Sequence, residues 1–307
     1  MTYNHKTLVS AVVYVRNNAK EIECFLRTIY GVFIEIFAKF EIICVNDASD
    51  DNSGNIINKL ESSFADCKIS IINMSYFHGR EAAMHTGVDF AIGDFVFEFD
   101  SLDIDYELDM VMQVYSRSLQ GFDIVSCGSA DTRLFPRLFY YIYNLSAGSQ
   151  HRIQSETFRI LSRRAINRVR SMSVKLPYRK ALYSYSGLEM DFILYEATVS
   201  GIHKTTRLKN SQDTAITSLL IFTNIAYRIS MLLSLIMAAS MFGFGLYTVI
   251  VYFGTRRPVE GWAPLMGLIS AGFFGVFILL TIVAKYLDIL LKNAFNKQAY
   301  LVSSIDR

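Results

Sequence analysis

The sequence predicts an α/β domain with a mostly parallel β-sheet, followed by two membrane-spanning helices. Three observations lead there. Short β-branched runs alternate with segments of helical period over the first two hundred residues. Polar residues gather just after the apolar runs, where ligand sites of parallel sheets lie. Two long uncharged stretches occupy the last eighty residues, and the chain has only 19% charged residues and a mean hydropathy of +0.28.

Leu8 to Val15 is a β-branched run and reads as a buried strand. Residues Ala19 to Phe33 place Ile22, Phe25, Leu26, Ile29 and Phe33 at helical spacing. Phe40 to Val45 is a second strand, ending in Asn46, Asp47, Ala48 and Ser49. Asn52 to Phe64 is predicted helical, Lys68 to Asn73 a strand, Arg80 to Ala91 a helix, and Phe95 to Phe99 a strand ending at Asp100. Asp105 to Leu119 continues as a helix and Asp123 to Cys127 as a strand. Arg133 to Leu145, rich in Phe, Tyr and Leu, fits either an amphipathic helix on a bilayer or an ordinary packing helix. Arg16, Asn17, Asn46, Asp47 and Asp100 all fall at strand ends.

Ile229 to Phe253 and Ala263 to Ala284 contain no charge, and each exceeds the roughly 20 residues needed to cross a hydrocarbon core. Lys204, Arg207, Lys209 and Arg228 precede the first; Lys285, Lys292, Lys297 and Arg307 follow the second. The positive-inside rule then places both chain ends in the cytosol and the loop Gly254 to Trp262 outside. The expected divisions are a cytosolic domain 1–203, a basic juxtamembrane segment 204–228, a transmembrane hairpin 229–284 and an interfacial helix 285–307. Gly243, Gly245, Gly267 and Gly272 are small residues through which copies could pack as a homo-oligomer.

Charge is uneven. From Asp131 to Lys180 there are eleven Lys or Arg against two acids, so this segment carries +9 while the rest carries −7 of an overall +2. A phosphate or a membrane surface is the expected counterpart, and nucleic acid is not. Met1 to Thr7 lacks the apolar core of a signal peptide. Cys24, Cys44, Cys67 and Cys127 show no paired spacing; Cys24 and Cys44, in apolar runs, read as small core residues, and a reducing compartment fits. The five histidines are scattered, with His78 beside Gly79.

Several motifs follow one another: Val45-Asn-Asp-Ala-Ser49, then Gly79-Arg-Glu-Ala-Ala-Met84, then Gly93-Asp94 leading a strand to Asp100, then Phe158-Arg-Ile-Leu-Ser-Arg-Arg164, and Gly261-Trp262 between the two spans. In that order the chain resembles the family 2 inverting glycosyltransferases of GT-A fold. Within them it is most similar to the polyprenyl-phosphate (bactoprenol) glycosyltransferases. The resemblance implies transfer of a hexose from a nucleotide sugar, a UDP-hexose in the first instance, to undecaprenyl phosphate, for O-antigen or another surface glycan. It implies a multi-pass protein of the bacterial inner membrane. Asn17, Asp47, Gly79, Arg80 and Asp94 would contact the nucleotide sugar. Asp100, with Asp103 or Asp105, would hold Mg2+ or Mn2+, whose oxygen ligands carboxylates supply. Asp100, Asp103, Glu156 and Arg159 are the catalytic candidates. Arg152, Arg159, Arg163 and Arg164 would hold the lipid phosphate, which needs cations rather than a base.

Departures are visible. The second aspartate of the family's Asp-x-Asp falls on Leu102, the Gly-Asp before the arginine motif is Glu156-Thr157, and Arg16-Asn17-Asn18 lacks a carboxylate. Two alternatives stay open: a saccharide acceptor, with Glu156 or Asp103 as base, and a non-catalytic assembly partner.

Overall fold

The computed structural model describes residues 5–61, 63, 64, 67–130, 140, 141, 144, 153–172, 178–197, 232, 233, 236, 237, 239, 243, 262–295 and 302–306. The chain forms two compact units, Met1–Ala215 with Gln298–Arg307, and Ile216–Lys297.

The first unit is built on strands β1 (His5–Val15), β2 (Phe37–Asn46), β3 (Lys68–Met74), β4 (Phe95–Phe99), β5 (Ile124–Ser129), β6 (Phe158–Ser162), β7 (Met190–Tyr195) and β8 (Val302–Asp306). They form one sheet in the order β7-β5-β6-β4-β1-β2-β3-β8. Six strands run one way; β6 and β8 run against them. Helices α1 (Ile22–Ile36), α2 (Ser53–Glu61), α3 (Arg80–Phe90), α4 (Met110–Leu119), α5 (Arg163–Ser171) and α6 (Arg179–Ser184) accompany them.

The pleat sorts the core into two layers, since alternate residues of a strand face opposite sides. Val9, Ala11, Val13 and Val15 of β1 join Phe97 and Phe99 of β4 against α1 and α4. Val12 of β1 and Val96 of β4 join Ala83, Met84 and Val88 of α3 and Ile166 of α5 on the other face. The central strands are buried on both faces, which is why they read as continuous apolar runs.

Several expectations shift. Helix α1 starts at Ile22 and runs to Ile36, directly into β2. Its Cys24 points outward, while Cys44 is buried as expected. Helix α4 begins only at Met110: Tyr106 turns into the core beside Phe158, ring centroids 4.8 Å apart, and Asp105 accepts a hydrogen bond from the Tyr195 hydroxyl at 2.7 Å. Residues 302–306 form β8 along β3, not the end of an interfacial helix. The helix Arg133 to Leu145 lies outside the described residues except 140, 141 and 144.

In the second unit, helix α7 (Trp262–Phe295) is 34 residues long and contains the second expected span. Leu265, Ile269, Phe273, Val276, Leu280, Val283, Leu287 and Leu290 repeat every three or four residues along it and are all exposed. The side chain of Met237 lies against Gly275, where a Cβ would come within 2.2 Å of its sulfur. Counted over the described residues, no helix is long and apolar enough to cross a membrane. The first expected span is described only at 232, 233, 236, 237, 239 and 243, and the basic segment 204–228 lies outside the described residues.

Candidate active site

The loops following β1, β2, β3 and β4 lie at one end of the parallel strands. Val15 pairs with Asn46 and Asn46 with Asn73, so their following residues start level. Asp47 is fully buried there. One of its oxygens accepts the His78 backbone N–H at 2.9 Å; the other accepts the Gly79 N–H and the Tyr14 hydroxyl, both at 3.0 Å. Burial and this carboxylate push the Tyr14 phenol well above its ordinary range. Asp47 therefore fastens the β3–α3 loop to the end of β2. Gly79 sits at φ +88°, a conformation that other residues adopt only under strain, and opens α3.

The Arg16 guanidinium donates to the carbonyls of Asp47 and Ala48 and stacks 4.1 Å from the Phe77 ring. Asn17, at φ +52°, accepts the Asp50 N–H at 2.8 Å and donates its own N–H to Ser49. Ala48 stands at φ +51°. Tyr76 and His78 stack at 3.9 Å, with Tyr76 and Phe77 exposed. The loops after β1 and β2 are thus tied together, with an aromatic rim on the β3–α3 loop.

Beside them lies a buried ion network. Glu98 of β4 is the register partner of Arg159 of β6, and Asp100 follows on the same face of the pleat. Arg159, 2% exposed, contacts Glu98 at 3.3 Å, Asp100 at 3.2 Å and Glu156 at 2.9 Å. Arg179, from α6 and 4% exposed, contacts Glu81 at 3.2 Å, Asp100 at 2.5 Å and Glu98. The Tyr183 hydroxyl also donates to Glu98. Burial alone would raise the Asp100 pKa; Arg179, Arg159 and Arg80 outweigh it and hold the carboxyl well below its usual range. Removing one member of such a network leaves a buried uncompensated charge.

Strand direction divides the expected site residues. Asn17, Asp47, Gly79, Arg80, Asp100 and Asp103 stand at the carboxyl ends, with Glu156 and Arg159 joined to Asp100. Asp94 does not. It precedes β4, its N–H bonds the Leu8 carbonyl at 2.7 Å, and the length of β4 separates it from Asp100 by roughly 20 Å. Arg163 and Arg164 follow β6, which runs the opposite way, so they share the distant end with Asp94. Arg163 donates to the carbonyls of Ala91 and Gly93, and Arg164 pairs with Asp123. Arg152 lies outside the described residues.

Of the three expected metal ligands Asp100 is fully engaged elsewhere, and Asp103 and Asp105 each hold a hydroxyl. Asp100 gives each oxygen to a different guanidinium, Asp103 accepts the Ser101 hydroxyl at 2.7 Å, and Asp105 accepts Tyr195. Leu102, in the place of the second aspartate, packs against the core. Among the described residues no three His, Cys, Asp or Glu side chains are grouped as a metal site requires. As they stand, these residues do not fit a divalent cation. Sequence reasoning missed Arg179, Glu98 and Glu81. Glu98, a charge inside an apolar strand, was the available signal for a buried partner.

Comparison with known proteins agrees with this architecture. A mannosyltransferase of Pyrobaculum calidifontis, solved with GDP-Man and Mn2+, has a TM-score of 0.51 at 15% identity, over 96% of this chain and 89% of its own; this is a likeness of fold. The bactoprenol glucosyl transferase of Shigella phage SfX is 26% identical over 96% of this chain and 99% of its own length. An uncharacterized glycosyltransferase of Synechocystis sp. is 22% identical over 97% and 95%. Residues 10–170, more than half the chain, match the family described as Glycosyl transferase family 2. With its GT-A-like sheet and its loops gathered at the carboxyl ends, the chain belongs to glycosyl transferase family 2 and is a glycosyltransferase.

Proposed function

We propose that this enzyme transfers a hexose from a nucleotide sugar, a UDP-hexose, to polyprenyl phosphate at the cytosolic face of a bacterial inner membrane, supplying O-antigen or another surface glycan. The observation that carries the reading is the reach of the similarity to bactoprenol glucosyl transferases. It covers 96% of the chain, past the family match at residues 10–170 and through α7. The exposed apolar ridge of α7 supports a membrane helix. So does β8: residues on both sides of the 198–301 stretch share one sheet, so any crossings between them are even in number. Two spans with both termini in the cytosol satisfy this.

In the reaction an acceptor phosphate oxygen forms a bond to the anomeric carbon while the bond to the donor diphosphate breaks, and the nucleoside diphosphate leaves with the electron pair. Asn17, Gly79 and Arg80 border the donor space. A lipid phosphate is already ionised, so no base is required. The state of Glu156 supports this: it is paired with Arg159, which lowers its value as the base a saccharide acceptor would need.

The test is incubation of membranes containing the enzyme with labelled UDP-hexoses and undecaprenyl phosphate, followed by butanol extraction. Label in the organic phase is expected. Label confined to water-soluble saccharide, or absent with every donor, would reject the acceptor.

A further inference from the structure

The Asp100 network has a charge balance that bears on how the donor's diphosphate is held. Glu81, Glu98, Asp100 and Glu156 bring four negative charges; Arg159, Arg179 and Lys180 bring three positive ones. Arg80, the first residue of α3, restores neutrality. It lies in the chain between Gly79, which Asp47 holds at the end of β2, and Glu81, which pairs with Arg179, so it opens α3 where the loops meet the network. Its Nε is buried with no hydrogen-bond partner among the described residues. A divalent cation on Asp100 would have to displace a guanidinium from one oxygen. It would then sit beside two fixed positive charges, with no second carboxylate at Leu102.

We infer that this enzyme binds its donor diphosphate through the Arg80 guanidinium and without a divalent cation, Asp100 serving to hold Arg159 and Arg179 in place. The inference rests on the reading of this end of the sheet as the donor site and is independent of the acceptor. A guanidinium offers paired N–H donors to phosphate oxygens and keeps its charge throughout, so it can meet the charge that develops as the nucleoside diphosphate departs. Arg80 is then a catalytic residue.

The full-length protein, stripped with chelator, is titrated with UDP and with GDP by calorimetry, with and without Mn2+. Protein-bound Mn2+ is followed separately by electron paramagnetic resonance. The affinity for the better nucleotide is expected to change less than about threefold with Mn2+. Arg80→Gln is expected to weaken it roughly 10- to 100-fold, with partial recovery in Arg80→Lys. Nucleotide-dependent Mn2+ binding that is lost in Asp103→Asn or Asp100→Asn would overturn the inference, as would a tenfold or greater tightening by Mn2+. Asp103 lies outside the arginine network, so its variant remains informative if Asp100→Asn fails to fold. Failure of both nucleotides to bind under either condition would instead reject the donor-site reading itself.

Discussion

Aspartates and arginines lie at both ends of strands β4 and β6, and the two ends behave differently. At the carboxyl end of β4, Asp100 lies between Arg159 and Arg179, both nearly inaccessible to water. At the amino end, Arg163 caps backbone carbonyls, and Arg164, 66% exposed, reaches over to Asp123. The residue types are the same, and Asp94 and Asp100 share one short motif while Arg159, Arg163 and Arg164 share another. Strand direction and burial decide which pairs sit beside the proposed donor space and which only finish the sheet. A motif therefore names residue types, and only the register says which of them share a site.

The largest effect that could break this contrast is at Arg179. Arg179→Ala leaves buried carboxylates unbalanced and should cost about 3–5 kcal/mol in urea unfolding, with Arg179→Lys recovering part. A loss within error would show that the network is not structural. Its pH dependence follows from Asp100. The folded carboxyl titrates below its unfolded value of about 3.9, so its stabilisation is complete above that pH. The stability difference between wild type and Asp100→Asn should hold from pH 8 to about 4 and shrink as pH falls further. A difference that fades already near pH 6 would contradict the ion pairing.

At the other end, Gly93→Ala is next in size. Its Cβ would come within 2.6 Å of the Ser10 backbone nitrogen, a clash worth about 1–3 kcal/mol. Nucleotide affinity should be unchanged, because the position is remote from the donor loops. Ala48→Gly sharpens the comparison from the donor side. Relief of φ +51° should raise stability by up to about 1 kcal/mol, read as a higher Tm. Arg164→Ala should be smallest, with a small drop in Tm because buried Asp123 keeps only the Ser162 hydroxyl, and no change in transfer rate; a large loss of transfer would return Arg164 to the site.

Much of the sheet was legible because strands buried on both faces, such as Val9–Val15 and Phe95–Phe99, are apolar nearly throughout, Ser10 and Glu98 being the polar exceptions. The later strands were not. β6 holds Arg159 at its second position, and its five residues read as a binding motif rather than as a strand. β8, Val-Ser-Ser-Ile-Asp, is too short and polar to announce itself, and pairing with β3 is a long-range event. In the site, Asp100, Arg159 and the Gly79 turn were visible as motif members. Arg179 was not, since its basic neighbourhood resembles a solvated face and its partners are about eighty residues away or more. Asp94 was given its nucleotide role by resemblance alone, although its place at the start of β4 puts it at the opposite end of the strand from Asp100.

The antiparallel pairing of Val302–Asp306 with β3, reinforced by the Asn73 amide on the Ser304 hydroxyl at 3.0 Å, has a practical corollary. These five residues shield a row of backbone donors and acceptors that another molecule could otherwise recruit. Deleting them, or straining them with a bulky fusion, should turn a well-behaved protein into one that adheres to its own copies while the loops at the carboxyl ends of the sheet remain whole.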